Sequence, residues 1–342
     1  MIKSLTSFRF IIAFIIFLFH CRIHFDWKLG LEFIDTFFLN GATFMTGFFV
    51  LSGFIMAHVY NKTDFTKREN ILNFYLKRFA KIYPTYLFVT IIYFIFLNNL
   101  TFNQLIRSLI NDMFLIQSFF PSMFPLGING GTWSLTVEMF LYFLFPFLML
   151  IFAGEKGKKT ILVIVAIMLV LISYNAYINK SDYIYANPVF RTFDFMCGIG
   201  FYFAKENFTK VKFANFINLL IIALLAFICI NCERQYQYMN GQFIITPLLG
   251  LWIVTVYHSK SKFYNNKILE YLGKISYSFY LWQFVAMEVG KKLIQNYPDI
   301  SFHFVVIIAF IINFIISVVS YHLLEEKTRN FIVKNFLIKK AC

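Results

Sequence analysis

Residues 8–20 read FRFIIAFIIFLFH, an apolar stretch that carries two ionisable side chains, Arg9 and His20. With its apolar flanks the stretch covers about residues 5–23, close to the roughly 20 residues that an α-helix needs to cross a bilayer. Eleven positions return the chain to nearly the same side of a helix, so Arg9 and His20 share one face, about 16 Å apart along the axis. The stretch predicts a membrane-spanning helix with a cation near one end and a base near the other.

The composition extends this prediction to the whole chain. Of 342 residues, 59% are hydrophobic and 14% are charged, against about 45–50% and 25% in soluble domains. These values exclude a water-soluble enzyme, a disordered chain and a coiled coil. We predict an all-α polytopic membrane protein with about ten transmembrane helices, and we expect residues 1–342 to form a single membrane-embedded domain with no attached soluble catalytic domain. The apolar runs cover about 5–23, 36–58, 83–98, 133–153, 160–178, 187–204, 214–231, 241–258, 271–294 and 302–324.

The charge distribution predicts the topology of these helices. The chain carries 31 Lys and Arg residues against 17 Asp and Glu residues, a formal charge of +14. Most of the cations fall in segments on the same side as the N-terminus, and basic segments alternate with cation-poor ones. This positive-inside pattern predicts cytoplasmic termini in a multi-pass protein of the cell inner (plasma) membrane. Insertion in the lipid bilayer explains the excess charge without a nucleic-acid partner.

Four ionisable side chains fall inside the predicted spans at a similar depth, toward the outer surface: His20, Glu138, Arg191 and Asp194. Such groups are costly in lipid and often mark a functional site, and a histidine beside a carboxylate can abstract a proton from a hydroxyl. Each also has a structural explanation. His20 can sit at the membrane interface, Glu138 can stabilise the start of its helix, and Arg191 can form an internal ion pair with Asp194.

A second basic feature precedes the third predicted span. Residues 74–84 read FYLKRFAKIYP, and Arg78 and Lys81 lie three positions apart on one helical face. Such a pair can capture an anionic ligand with phosphate groups, although the positive-inside rule also explains it. Metal binding is not predicted, because Cys229 and Cys232 have no second pair of ligands to complete a zinc site.

Six short blocks along the chain form one recognisable set. They are Arg9 with His20 (R-x10-H), FFVLSGF at 48–54, RFAKIYP at 78–84, TWSLTVEMFLYFLFP at 132–146, LGKISYSFYLW at 272–282 and EEKTR at 325–329. In this order, across almost the whole chain, they resemble the acyltransferase family 3, bacterial membrane O-acyltransferases of envelope and secreted glycans. The chain departs from the family pattern at Thr46 (usually Asp), Lys81 (usually Arg), Gln283 (often His) and Thr328 (usually Pro).

The resemblance implies the chemistry and the residues that perform it. An acyl group would pass from acyl-CoA, with acetyl-CoA as the expected co-substrate, to a sugar hydroxyl of a cell-surface or lipid-linked glycan. Arg9, Arg78 and Lys81 would hold the donor phosphates, and His20 with Glu138 would be the catalytic pair. No tightly bound cofactor is expected, and the glycan export machinery is the expected source of a protein partner. Further contacts to the acceptor or oxyanion are expected from Trp133, Ser134, Arg191 and Asp194.

Two other functions fit the same polar residues. A transporter or flippase for an anionic lipid or glycan would use such a chamber, although no internal repeat is evident and seven prolines offer few helix interruptions. A non-catalytic membrane scaffold would need neither His20 nor Glu138. The sequence leaves open the acyl group, the acceptor, and whether transfer is direct or passes through a covalent intermediate on His20.

Overall fold

The computed structural model describes residues 2–96, 101–120, 130–153, 185–208, 214–232 and 242–338, with positions 170 and 174. The described residues form helices and connecting turns and contain no strand. The all-α prediction is therefore confirmed. Most of the fifth predicted span, 160–178, lies outside the described residues, as do the last residues of the third span and the first of the eighth.

The helices are named here in chain order. They are α1 (Lys3–Phe25), α2 (Glu32–Leu39), α3 (Met45–Tyr60), α4 (Arg68–Phe96), α5 (Phe102–Met113), α6 (Trp133–Ala153), α7 (Pro188–Ala204), α8 (Ala214–Asn231), α9 (Gln242–His258), α10 (Lys267–Asn296), α11 (Phe302–Ser320) and α12 (Glu326–Phe336). A 3-10 turn, Gly41–Phe44, precedes α3, and a π-helical turn, Tyr321–Glu325, joins α11 to α12.

Four segments in the described part of the chain are long and apolar enough to cross a membrane, namely Lys3–Phe25, Gly41–Tyr60, Trp133–Phe152 and Phe302–Phe336. Two shorter apolar helices, Phe216–Asn231 and Phe243–His258, accompany these four segments. Together they support a membrane protein, while the number of ten spans and the cytoplasmic termini stay predictions.

Helices α2 and α3 replace the single helix predicted for residues 36–58. At the break, the side-chain amide of Asn40 donates a hydrogen bond to the backbone carbonyl of Cys229 at 2.7 Å. Gly41 packs against α1 so closely that a Cβ there would lie 2.9 Å from the Cβ of Phe19. The partners of the break lie far away in sequence, so a continuous apolar run could not reveal it.

Glycines bring two pairs of helices into backbone contact. A Cβ at Gly53 of α3 would collide with the backbone carbonyl of Phe195 in α7, and Gly198 of α7 meets the α3 backbone in the same way. A Cβ at Gly273 of α10 would collide with the carbonyl of Thr6 in α1. Small residues allow membrane helices this close approach. The distance between α3 and α7, and that between α1 and α10, is therefore set by these glycines.

We expect Gly53→Ala to lower the thermal unfolding temperature in detergent, because overpacking the α3–α7 contact costs about 1–3 kcal/mol. Gly200 is the matched control, since it also lies in a helix of this pair but a Cβ there would have nothing within 4 Å. Gly200→Ala should leave the temperature unchanged or raise it, because alanine is favoured over glycine in helices by about 1 kcal/mol. Equal effects of the two substitutions would contradict the close contact.

Candidate functional site

A cavity of about 560 Å³ lies between α1, α3, α4, α6 and α10. This volume falls within the range of about 300–1,000 Å³ typical of small-molecule sites. The lining follows α3 from Met45 to Val59, about 21 Å of helix, so the cavity is elongated. The predicted site residues in its lining are Arg9, Arg78, Lys81, Ser134 and Glu138.

Arg78 is held in the cavity by aromatic side chains. Its Nη2 donates a hydrogen bond to the Tyr60 hydroxyl at 3.1 Å. Its guanidinium carbon lies 5.5 Å from the ring centre of Tyr60, 5.6 Å from that of Tyr142 and 5.9 Å from that of Phe74, within cation–π range. The Nε of Arg78 is buried and has no hydrogen-bond partner among the described residues. The side chain is therefore fixed in position, and its Nε is a buried donor that no described protein group satisfies.

Positive charge is concentrated around this arginine. Arg9 reaches the cavity from α1, and Lys81 lines it three positions after Arg78 on α4. Glu138 brings a carboxylate from α6. The buried carboxylate of Glu325 also interacts with Lys81 and Arg9. Charges taken out of water need partners of opposite sign, and three cations against two carboxylates leave one positive charge, which favours an anionic ligand.

Glu138 is anchored by hydroxyl groups of α3 and α6. The Ser52 hydroxyl donates to its Oε1 at 3.2 Å, and the Tyr142 hydroxyl also donates to Oε1. The sequence predicted no role for Ser52, which lies within the block 48–54, or for Tyr142. The spacing of four positions between Glu138 and Tyr142 was the one sign that these two side chains could meet on a helix. The predicted contact between Glu138 and His20 stays a prediction.

A hydrogen-bonded group from α6 and α10 lines another part of the cavity. The Tyr280 hydroxyl donates to the carbonyl of Gly131 at 2.8 Å, and the Oγ of Ser134 lies 2.9 Å from that hydroxyl. Trp133 packs beside the cavity, with its ring centre 4.7 Å from that of Tyr185. The structure thus brings Ser134, but not Trp133, into the lining.

His20 is not among the residues that line the cavity. Phe284 follows Tyr280 by one turn on α10, and its ring centre is 4.6 Å from that of His20. The rings of Phe19, at 4.8 Å, and His24, at 5.8 Å, are further neighbours of His20. Phe284 therefore packs against the predicted base one turn beyond Tyr280, which lines the cavity.

The arrangement can be compared with known proteins. A family profile described as an acyltransferase domain matches residues 2–322. The chain belongs to the acyltransferase 3 family. This confirms the resemblance carried by the six sequence blocks. No solved structure matches the chain.

Two curated relatives of this acyltransferase 3 chain are named OatA. The peptidoglycan O-acetyltransferase OatA of Listeria monocytogenes is 24% identical over 316 residues, which are 82% of this chain and 50% of that protein. The O-acetyltransferase OatA of Staphylococcus aureus is 25% identical over 329 residues, 86% of this chain and 54% of that protein. The acyltransferase MdmB of Streptomyces mycarofaciens is 30% identical over 154 residues, 42% of this chain and 38% of that protein. The chain spans about half the length of the OatA relatives.

In this acyltransferase 3 chain, Arg191 and Asp194 form a buried ion pair outside the cavity lining, 2.9 Å apart. Arg191 also donates from Nε to the carbonyl of Tyr185 at 2.7 Å and from Nη1 to the hydroxyl of Thr46 at 3.0 Å. The hydroxyl of Thr246 donates to Asp194 at 2.6 Å. The pair links α7 to α3 and α9, as its structural explanation requires. Its contact with acceptor or oxyanion stays a prediction.

We expect Asp194→Ala to destabilise the protein by about 3–5 kcal/mol, because it leaves the buried charge of Arg191 without its carboxylate. The double variant Arg191→Met/Asp194→Leu should recover most of this loss, since it removes both charges. Asp26→Ala is the control, because Asp26 is 69% exposed in its ion pair with Arg22, and an ion pair with an exposed partner contributes little. Thermal unfolding in detergent measures all three, and a loss at Asp194 no larger than at Asp26 would contradict the buried network.

A carboxylate of the last family block lies behind the cavity wall. Glu325 closes the π-helical turn, is 2% exposed, and accepts a hydrogen bond from the Ser278 hydroxyl at 2.8 Å. Tyr277, the neighbour of Ser278 on α10, lines the cavity. Single π-turns occur frequently at functional sites. Glu325 opens the sequence block at 325–329, but the sequence predicted no role for it. Its position beside the cavity wall was not predictable from residue spacing.

Proposed function

We propose that this chain is a membrane O-acetyltransferase that moves an acetyl group from acetyl-CoA to a hydroxyl of a cell-envelope glycan. The observation that carries the proposal is the convergence of Arg9, Arg78 and Lys81 in one elongated cavity. CoA is a long anionic molecule, and its phosphates need such cationic contacts. Membership of the family supports acyl transfer, and the names of the OatA relatives support O-acetylation of a glycan.

The donor binds from the cytoplasm with its phosphates at the three cations. Its pantetheine arm runs along the cavity toward Tyr280. The size of the cavity and the unsatisfied Nε of Arg78 support an anionic ligand at this arginine. The axial distance of about 16 Å between Arg9 and His20 is comparable with the length of the arm. Phe284 turns aside to let the thioester reach His20.

His20 acts as the general base of the transfer. It takes the proton of the acceptor hydroxyl while the hydroxyl oxygen attacks the thioester carbonyl carbon. The carbon–sulfur bond then breaks, and the departing thiolate takes the proton from His20, which leaves an acetyl ester and CoA. Glu138 orients His20, and Ser134 donates to the oxyanion of the intermediate. A covalent acetyl group on His20 would be the relay form of the same reaction.

The acceptor reaches His20 from the outer side of the inner membrane, as a lipid-linked or extracytoplasmic glycan. The predicted multi-pass topology and the predicted depth of His20 in α1 support this direction of transfer. A protein of the glycan export machinery delivers the acceptor. The name of the Listeria relative supports peptidoglycan as the acceptor class.

The proposal is tested with purified protein in liposomes, labelled acetyl-CoA and candidate glycans. We expect release of CoA thiol together with an acetylated glycan whose modified hydroxyl is located by mass spectrometry. The wild-type protein without glycan, and empty liposomes with glycan, are the controls. CoA release that no glycan stimulates, or no acetyl transfer to any glycan, would overturn the proposal.

The transporter or flippase alternative is not favoured, because the chain belongs to an acyltransferase family. The same liposomes distinguish the two functions. Glycan or lipid exchange across the bilayer that does not depend on acetyl-CoA would support transport. Acetyl transfer without net movement of unmodified glycan would support the enzyme.

A further inference from the structure

A second group of basic residues lies where α3 ends. His58 lines the cavity, and its imidazole is positioned by two tyrosines, with ring centres 5.8 Å from Tyr202 and 5.8 Å from Tyr257. Its Nδ1 is buried and has no hydrogen-bond partner among the described residues. A buried imidazole nitrogen without a described partner, on a side chain that lines a ligand-sized cavity, is an unmet hydrogen-bonding group that a ligand can satisfy.

Lys205 brings a positive charge to the same place. It follows the last residue of α7, and its ammonium lies 4.0 Å from the ring centre of Tyr202. The same ring contacts His58, so Tyr202 joins the two basic side chains. Lys205 pairs with the carboxylate of Glu206 at 3.5 Å; the lysine side chain is 14% exposed and the glutamate side chain is 70% exposed. An ion pair with one partner in water contributes little, so an anion bound beside Tyr202 can replace Glu206 as the partner of the ammonium.

This group is separate from the three cations that the donor phosphates meet. Arg78 contacts α3 through Tyr60, whereas His58 contacts Tyr202 of α7. Two positions on a helix point about 200° apart, so Tyr60 and His58 face nearly opposite sides of α3. The end of α3 therefore stands between two basic groups, one around Arg78 and one around His58 and Lys205.

We infer that His58 and Lys205 form a second anion subsite, which binds the 3′-phosphate of the CoA donor. CoA carries a diphosphate within its chain and a separate phosphomonoester on the ribose, and two separate basic groups match two separate anions. A phosphomonoester carries about −1.5 to −2 charge at neutral pH and accepts hydrogen bonds from both an imidazole N–H and an ammonium. The inference rests on the proposed function, because it assigns one group of the proposed donor.

The test compares the affinities of CoA and 3′-dephospho-CoA by calorimetry in detergent. We expect the wild-type protein to bind CoA at least about tenfold more tightly, as one or two charge-assisted hydrogen bonds imply. Lys205→Gln and His58→Gln should weaken CoA binding until it approaches that of 3′-dephospho-CoA. Their affinity for 3′-dephospho-CoA should stay at the wild-type value, which also shows that the variants are folded.

The matched control is Lys267→Gln, which removes the same charge from an exposed position at the start of α10 and should keep the wild-type preference. A wild-type protein that binds CoA and 3′-dephospho-CoA equally would overturn the subsite while leaving the proposed donor in place. The same conclusion follows if both variants weaken the binding of CoA and of 3′-dephospho-CoA equally, or if both variants leave the binding of the two ligands unchanged. A wild-type protein that binds neither ligand would overturn the proposed donor and the subsite together.

Discussion

His20→Ala is expected to lower the rate of acetyl transfer by about 10²–10⁴-fold, the usual contribution of a general base. The affinity for CoA should stay close to the wild-type value, because His20 lies outside the lining of the cavity that holds the cations. Initial rates of acetyl-glycan formation in liposomes, with CoA binding measured on the same preparation, test both parts. Loss of rate with retained binding is what separates a base from a residue that holds the fold.

The neighbouring histidine offers a matched control for this experiment. His24 lies one turn further along α1, with its ring centre 5.8 Å from that of His20 and 5.9 Å from that of Phe284. His24→Ala changes the same residue type on the same helix and should cost little activity. If the two variants transfer acetyl groups at the same rate, His20 is not the base and the mechanism fails.

Arg78→Gln is expected to weaken CoA binding by about 10–100-fold. Hydrogen bonds to charged groups contribute about 1.5–3 kcal/mol, and each 1.4 kcal/mol is a factor of ten in the dissociation constant. The variant removes the charge but keeps a polar side chain of intermediate length. The rate at saturating acetyl-CoA should change much less than the affinity, because Arg78 is proposed to bind the donor rather than to take part in the chemical step.

Lys77→Gln is the control for Arg78. It removes one charge from the adjacent position of α4, and Lys77 does not line the cavity. Its affinity for CoA should therefore equal that of the wild-type protein. Equal weakening by the two substitutions would mean that the general positive charge of the helix, rather than a specific site, attracts the donor.

The sequence was informative where chemistry and helical spacing coincide. Arg9, Arg78, Lys81 and Glu138 stand in family blocks, and the structure brings all four to one cavity. Long apolar runs also predicted the helices, because the cost of exposing backbone polar groups in lipid leaves helices as the natural form of such segments. The prediction of one continuous helix over residues 36–58 was wrong. The helix is interrupted at Asn40, whose side chain donates a hydrogen bond to a residue 189 positions away.

The sequence could not show which of the ionisable residues line the cavity. His20, Arg191 and Asp194 were placed at one depth in the membrane by counting residues along helices. That count contains no information about which way each helix faces its neighbours. In the structure Asp194 is 0% exposed and bound by side chains of α7 and α9, while Ser52 and Tyr142, which carry no charge, surround Glu138. The packing of neighbouring helices therefore determines the partners of both Asp194 and Glu138.

The glycine contacts between α3 and α7 and between α1 and α10 also restrict how a hydrophobic substrate can approach. Where two backbones touch, the seam between the helices is too narrow for a lipid tail to pass. A polyprenyl-type or acyl-chain anchor therefore cannot slip sideways through the described helices at Gly53 or Gly273. A lipid-linked acceptor of the proposed kind therefore has to bring its sugar to the protein through another opening, because the helices are closed to its lipid at these two contacts.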